Sequence, residues 1–295
     1  MNTFLLKFPK DIRSDYNGYD YFIEIINIAK KLESKEVLID FAAVSFFEAN
    51  LAALFGVCLE ILQFNKNSFK IINLNNNVET ILRKNYFLVE LNYDTITDSY
   101  ATSLRYMKFQ PNDDEGFNKY IKEQLLAKSD FPLVSEQLKK EIIKNIFEIY
   151  ENARTHGKCD YIHTCGQFFP RQTNMPFHFT LVDKGINIKE NVSAFKKEDI
   201  EASDAIEWAM IKGNTTKTQT SGGLGLAVIF EFIKLNRGKI QIVSADGYYE
   251  YKNEIITKRR INSYFDGTIV TIIFNFNDKN YYSLLSEKLD LKNAF

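Results

Sequence analysis

Glu148 and Asn152 stand four residues apart in a segment whose apolar residues recur at helical spacing. A helix places residues four apart on one face, so the carboxylate lies beside the amide. Both belong to a polar row along the edge of an apolar stripe, the row being Glu141, Asn145, Glu148 and Asn152 and the stripe Leu138, Ile142, Ile146, Ile149 and Ala153. A carboxylate row beside a core can meet a cation and a ligand, although for one helix alone a solvated face is the ordinary interpretation.

Two later segments favour the chemical interpretation. An apolar strand ends at Asp183, and Gly185 two residues later frees the backbone to turn. An aspartate at such a buried edge can accept a hydrogen bond from an amino group, for example that of adenine. A glycine-rich loop over 220–225 then leads into a helix, where bare N–H groups and the helix N-terminus can cradle a phosphate.

In this order and with these spacings, the three segments resemble the N, G1 and G2 boxes of the GHKL (Bergerat-fold) ATPases. That superfamily includes gyrase, the ninety-kilodalton heat-shock chaperones, sensor histidine kinases, MutL and the anti-sigma serine kinases. The resemblance covers about 124–275. It implies an α/β sandwich with a mixed, mostly antiparallel sheet, and ATP and Mg²⁺ as cofactors.

The resemblance also implies roles for single residues. Glu148 resembles the family's general base or water-orienting carboxylate, and Asn152 its magnesium ligand. Asp183 resembles the adenine-binding aspartate, with Gly185 beside it and Asn187 where the family has a second glycine. The remaining nucleotide-binding positions lie in three segments: the lid over 212–220, the phosphate loop and the closing strand over 267–274. These positions are Thr216, Lys217, Gly222, Gly223, Leu224, Gly225, Leu226 and Thr268. A helix pair with a phosphoacceptor histidine is missing, which argues against a sensor histidine kinase.

The first 92 residues or so alternate strand and helix patterns, which is typical of an open α/β sandwich. Strands are predicted over 3–8, 37–41 and 69–74, and helices over 19–32, 50–64 and 78–85. The run 37–51 resembles the STAS fold of anti-sigma-factor antagonists, in which a strand leads through a Phe-x-Asp-Ser-type turn into a helix. Here Glu48, Ala49 and Asn50 occupy that turn and Ser45 lies too early, so the family's phosphorylatable hydroxyl is missing. The resemblance implies a degenerate module that docks a protein partner.

The length of 295 residues indicates two domains. We predict a STAS-like interaction domain over 1–95, a connecting segment over 96–132 and a GHKL ATP-binding domain over 133–295.

The balance of 37 basic and 38 acidic residues argues against a nucleic-acid or membrane partner. The three cysteines are scattered, and no signal peptide is visible. The longest apolar run, 51–59, is far shorter than the ~20 residues that a membrane span needs. We therefore predict a cytoplasmic protein.

One cluster suggests zinc instead, because two histidines and two cysteines fall within ten residues: His156, Cys159, His163 and Cys165. Their spacing matches no zinc finger or knuckle. The segment 161–168 reads as a strand, and its alternation sends His163 and Cys165 to one face, away from His156 at the helix end. We therefore favour a structural interpretation.

Together these features predict a regulatory protein that binds Mg-ATP and hydrolyses it or transfers its phosphate in a partner-switching-type pathway. With water as acceptor the protein is an ATPase, and with a partner's hydroxyl it is a serine/threonine kinase of the anti-sigma type. The alternative is a non-catalytic, nucleotide-gated interaction module. A homodimer is a further hypothesis. A Walker A lysine motif and a complete dinucleotide fingerprint are missing from the sequence, which argues against P-loop and Rossmann proteins.

Overall fold

The computed structural model describes residues 2–211, 213–214, 216 and 225–287. The helices and strands predicted for the N-terminal half are confirmed, with their ends shifted by a few residues. In chain order this half contains β1 (Thr3–Lys7), β2 (Asp11–Ile12), α1 (Tyr16–Lys30), β3 (Glu36–Asp40), β4 (Phe46–Phe47), α2 (Ala52–Phe64), β5 (Ser68–Ile72) and α3 (Asn76–Lys84).

The C-terminal half begins in the segment predicted to be a connection. In chain order it contains β6 (Ser103–Phe109), α4 (Asp114–Tyr120), β7 (Leu133–Val134), α5 (Glu136–Asn152), β8 (Ile162–Phe168), β9 (Pro176–Asp183), α6 (Ile188–Lys196), α7 (Ala202–Met210), α8 (Gly225–Leu235), β10 (Lys239–Lys252), β11 (Ile255–Asn275) and β12 (Tyr281–Tyr282). Ser135 caps α5, since its hydroxyl accepts a hydrogen bond from the Leu138 N–H at 3.0 Å.

Two sheets organise these elements. In the N-terminal half β1, β3 and β5 are parallel, in the order β1-β3-β5. In the C-terminal half five strands are antiparallel, in the order β10-β11-β9-β8-β6, so the strand within 96–132 forms one edge of that sheet. The mixed α/β class predicted from the sequence is confirmed, with every pairing in the five-stranded sheet antiparallel.

Helices α1 and α2 lie between the two sheets. Every residue of α2 from 52 to 62 is buried, which is expected of a helix with packed layers on both sides. Along β9 the side chains alternate between the faces of the five-stranded sheet. Val182 joins the apolar core of the N-terminal half, whereas Leu181 joins the core that contains α5 and α8. The layers are therefore sheet, helices, sheet, helices, and the even-numbered residues of β9 face the N-terminal half.

A buried polar network crosses this contact at the turn before α2. The Asn50 amide donates to the Ser14 hydroxyl at 2.6 Å and to the Thr180 hydroxyl of β9 at 2.9 Å. The Glu48 carboxylate accepts from the Ser14 N–H at 2.7 Å, and both Glu48 and Asn50 are buried. The turn that resembles the STAS phosphorylation turn is thus enclosed against the five-stranded sheet.

The β10–β11 hairpin extends past the sheet beyond a register shift at Ala245 and packs along α1. Side chains of α1 bond to the free edge of β11: the Tyr16 hydroxyl donates to the Arg260 carbonyl at 2.7 Å, and the Asn27 amide donates to the Tyr264 carbonyl at 3.0 Å. These bonds satisfy backbone groups that an exposed strand edge leaves open. The two halves are therefore joined along the hairpin as well as across the sheet.

Among the residues that the structure describes, no helix is both long enough and apolar enough to cross a membrane.

Candidate functional site

Asp183 is the last residue of β9, a strand in the middle of the sheet, and is 3% exposed. Its Oδ1 accepts a hydrogen bond from the Gly185 N–H at 2.9 Å. On the neighbouring strand β11, Thr268 is the residue that pairs with Asp183. Burial raises the pKa of the carboxyl to about 7, although bonds from the backbones of Gly185 and Thr268 lower it. A carboxyl that is buried, oriented and strongly raised in its pKa is a functional-site candidate.

The end of α5 meets the end of β9 at two glycines. After Asn152 the helix widens into a π-helical turn over Ala153–Gly157, a feature often found at functional sites. The Gly157 carbonyl accepts from the Ile186 N–H at 2.6 Å. A Cβ on Gly185 would lie 1.9 Å from that carbonyl oxygen, and one on Gly157 would lie 3.0 Å from Asp183 Oδ1. A side chain at position 185 is therefore excluded by the Gly157 backbone, and one at position 157 would press against the Asp183 carboxyl.

The structure brings part of the predicted site together. Asn152 ends α5 next to the π-helical turn, so it lies at the same end of the sheet as Asp183, Gly185 and Thr268. Glu148 lies one turn earlier on α5, and both it and Asn152 are half-buried. The polar row is therefore partly buried, and its Asn152 end lies at the end of the sheet that carries Asp183.

Asn145, in the middle of that row, contacts the helix that follows the glycine loop. It is 2% exposed, and its side-chain oxygen accepts from the N–H groups of Val228 at 3.1 Å and Ile229 at 3.0 Å. Its amide donates to the Glu141 carbonyl at 2.8 Å. In the sequence Asn145 belongs to the polar row but has no predicted role. Its position at the edge of the apolar stripe is the indication that it is buried.

We expect Asn145→Ala to destabilise the protein by about 1–3 kcal/mol, because two backbone donors at the start of α8 lose their shared acceptor. Thermal unfolding with circular dichroism measures the effect. The matched control is Asn118→Ala on α4, which also loses an amide bond to the carbonyl four residues back, Asp114, at 3.0 Å. It should change stability by less than about 0.5 kcal/mol, as a half-buried surface substitution does. Equal stability of the two variants would contradict the role of Asn145.

Asn187 is the N-cap of α6. Its φ of −77° is outside the left-handed region that a second glycine would favour. The side-chain oxygen accepts from the Glu190 N–H at 2.9 Å, and the amide donates to the Tyr264 hydroxyl at 2.8 Å. An asparagine in place of glycine is therefore explained by capping.

The segments predicted to be the lid and the phosphate loop fall mostly outside the described residues. This applies to Lys217, Gly222, Gly223 and Leu224, and to most of 212–220. The backbones of Gly225 and Leu226 begin α8. Thr216 is described, and its hydroxyl lies 3.0 Å from His156 Nδ1 in the π-helical turn. One lid residue thus contacts the helix end that carries Asn152.

The four residues that suggested zinc point to different places. His156 contacts Thr216, while the Cys159 thiol donates to the Ala153 carbonyl at 3.4 Å. His163 and Cys165 face the N-terminal half, as the alternation predicts: His163 bonds Glu60 of α2 and Cys165 joins the N-terminal core. Within the described ranges no group of histidine, cysteine and acidic side chains can hold a metal ion.

The sequence matches no protein-family model, and no curated protein matches it. Among solved structures, the histidine kinase domain of the blue-light activated histidine kinase from Erythrobacter litoralis EL346 is similar, with a TM-score of 0.27 and 13% identity over 76% of this chain and 87% of that chain. The B-subunit of DNA gyrase from Myxococcus xanthus is similar with a TM-score of 0.27 and 8% identity, over 60% of this chain and 48% of that chain. At these values neither similarity bears on function.

Proposed function

We propose that this protein binds Mg-ATP at the end of the sheet and hydrolyses it or transfers its terminal phosphate within a partner-switching-type pathway. The observation that carries the proposal is the buried Asp183, held by the Gly185 N–H and facing the end of α5. A buried carboxylate with a fixed orientation suits the amino group of adenine. Gly185 and Thr268 flank the same position and would line the base.

The phosphates would extend from the base toward the loop before α8. Gly222, Gly223 and Gly225 belong to this loop in the sequence, and Lys217 precedes it. Asn145 supports this direction because it binds the first turns of α8 to α5, the helix that carries Asn152 and Glu148. The base and phosphate ends of the proposed site are thus linked through one helix.

Asn152 and Glu148 offer a carboxamide and a carboxylate oxygen, the donors that Mg²⁺ prefers. We assign Asn152 to hold the magnesium ion together with the triphosphate. When bound, the ion neutralises charge on the phosphate oxygens. Glu148 then orients or deprotonates the attacking hydroxyl, of water or of a protein partner.

A phosphate acceptor in the turn before α2 is disfavoured by the fold. The turn Glu48–Ala49–Asn50 lies against the face of β9 opposite Asp183, because Thr180 and Asp183 have opposite parity along that strand. The turn is also buried and carries no hydroxyl. If phosphate is transferred, the acceptor is therefore not this turn.

The second candidate is a nucleotide-gated interaction module, in which ATP closes the lid and changes what the N-terminal half binds. The close packing of α1 and α2 on the sheet favours it, because such packing can carry a change from one half to the other. Glu148→Ala would then leave function intact while Asp183→Ala would abolish it. We further propose the N-terminal half as the partner surface, whether for another protein or for a second copy.

The test is incubation of the purified protein with Mg²⁺ and ATP labelled at the terminal phosphate. Bound nucleotide, free phosphate and label on protein are followed for wild type, Glu148→Ala and Asp183→Ala. Loss of turnover by about 100-fold or more in Glu148→Ala, with binding retained, supports catalysis, since a general base contributes about 10²–10⁴-fold. Binding without turnover in wild type supports the gated module, and wild type that binds no nucleotide contradicts both.

A further inference from the structure

An ion pair joins the N-terminal half to the residue directly after Asp183. Lys184 follows the last residue of β9, and its side chain points to the face opposite the Asp183 carboxyl. There its Nζ lies 3.1 Å from Oε1 of Glu60, on α2. The Glu60 side chain is 10% exposed and that of Lys184 is 19% exposed, so water screens the pair only in part. Asp160, largely exposed, lies 3.8 Å from the same Lys184 Nζ.

Glu60 is itself fixed by two neighbouring strands. Its Oε2 lies 3.0 Å from His163 Nε2 on β8 and 2.9 Å from Lys108 Nζ on β6. Burial raises the pKa of Glu60, but the bonds from His163 and the lysines outweigh this and hold the pKa at about 2. Since an ionised carboxylate only accepts, we assign the proton to His163 Nε2, which leaves Nδ1 to accept from the Tyr106 hydroxyl at 2.9 Å.

The turn that carries the adenine-binding groups is therefore held from both faces of the sheet. On the α5 face, the Gly157 carbonyl binds the Ile186 N–H at 2.6 Å. On the other face Glu60 binds Lys184. A cavity of about 550 Å³ opens beside this pair, and its lining includes Gln63, Phe64 and Tyr161. Its lining also includes Glu60 and Lys184, whereas Asp183 does not line it.

We propose that Glu60 is a positioning residue for nucleotide binding, which acts through Lys184 to fix the Asp183–Gly185 turn. This inference rests on the proposed function. It makes the N-terminal half part of the nucleotide site without any direct contact with the ligand. Because Glu60 lies on α2, near the end of that helix, a change in the position of α2 would alter nucleotide affinity.

The test is calorimetric titration of Mg-ATP into wild type, Glu60→Gln, Lys184→Gln and the double variant. Each single substitution should weaken binding by about 5- to 30-fold, in line with the loss of one charge-assisted hydrogen bond. The double variant should bind no more weakly than the weaker single variant, because both changes break the same link. Losses that multiply in the double variant would contradict action through Lys184. If Glu60→Gln does not fold, Lys184→Gln alone must still show the loss.

The matched control is Glu250→Gln on β10, where another half-buried carboxylate lies 3.5 Å from Lys239 and accepts from Tyr248 at 2.7 Å and Gln241 at 2.9 Å. It should keep wild-type affinity even if it unfolds at a lower temperature. Wild type that binds ATP while Glu60→Gln and Glu250→Gln bind it equally would overturn this inference alone. Wild type that binds no ATP would overturn the proposed function and this inference with it.

A second measurement separates positioning from general weakening. If the turn loosens, the Gly185 N–H bond to Asp183 weakens and less of the carboxyl is ionised near neutral pH. Wild type should bind ATP more tightly as pH rises, because only the ionised carboxyl accepts on both oxygens. The midpoint of this rise should lie at higher pH in Glu60→Gln than in wild type. An equal loss of affinity at every pH would contradict the positioning role.

Discussion

Asp183→Asn is expected to bind ATP at least about tenfold more weakly than wild type and yet to unfold at a higher temperature at pH 8. The two effects have one cause, which is a carboxylate buried for binding rather than for stability. In the folded protein burial raises the pKa from 3.8 to about 7. Each tenfold change in proton affinity is about 1.4 kcal/mol, so the ionised carboxylate costs the fold roughly 4 kcal/mol at high pH.

The direction with pH follows from proton linkage. Because the folded pKa exceeds the unfolded one, the folded state holds the proton more tightly between pH 4 and pH 7. Stability contributed by the protonated carboxyl is therefore present below about pH 4 and is lost as pH rises through about 7. Cys159 is a titratable neighbour of Asp183, and burial raises its pKa to about 12, so the thiol stays neutral over this range. The stability difference between Asp183→Asn and wild type should widen from pH 4 to pH 7 and then remain constant.

The loss of binding has a geometric reason. One carboxylate oxygen accepts from the Gly185 N–H, which leaves the other for the adenine amino group. Asparagine replaces one of these two oxygens by an NH2 group, so a donor then faces either the Gly185 N–H or the adenine amino group. Losing a hydrogen bond to a charged group costs about 1.5–3 kcal/mol, or about 10- to 100-fold in affinity. Wild type itself should bind more tightly as pH rises through about 7, because only the ionised form accepts on both oxygens.

Thermal unfolding and ATP titration between pH 5 and pH 8.5 test both effects on the same samples. Asp199→Asn is the control, since its carboxylate is 88% exposed and lies 3.2 Å from Lys189 on the surface. This substitution should change neither the unfolding temperature nor the affinity for ATP. If Asp183→Asn binds ATP as tightly as wild type does, Asp183 is not part of the nucleotide site, whatever the stability of the variant.

The parts of the site that the sequence predicts are those with local patterns. The helical period around Glu148 and Asn152 predicts α5, and the apolar run before Asp183 predicts β9. Both elements form where expected because each pattern lies within a single element. Gly185 is likewise identified by its position after the strand, although its reason, the approach of Gly157, lies 28 positions away in the chain.

The parts that the sequence does not predict depend on contacts between distant segments. Strand β6 is not predicted from the sequence, because a register shift between Leu104 and Met107 interrupts the alternation of apolar and polar residues that marks a half-buried strand. Glu60 lies in an otherwise apolar helix, and nothing near it in the chain indicates partners at Lys108, His163 and Lys184. In the turn before α2 the sequence reveals the missing hydroxyl but not the burial of Asn50 against Thr180.

A fragment that begins at residue 96 should fail to fold as a soluble protein, although the sequence alone suggests a boundary near there. Removing the first 95 residues uncovers a whole face of the five-stranded sheet. The apolar side chains that lose their cover are Tyr106, Cys165, Val182, Val243, Tyr248, Ile261, Phe265 and Ile269. A contiguous apolar surface of this kind leads to aggregation unless a partner covers it. The edge of β11 also loses its bonds from Tyr16 and Asn27.

Expression of residues 96–295 alone, and together with 1–95 as a separate chain, tests this expectation. The fragment alone should be insoluble or aggregated by size-exclusion chromatography. Co-expression should restore a soluble complex, because α1 and α2 can again pack on the sheet and bury the Asn50–Thr180 contact. A soluble, monomeric fragment 96–295 with cooperative unfolding would show that the halves are independent domains.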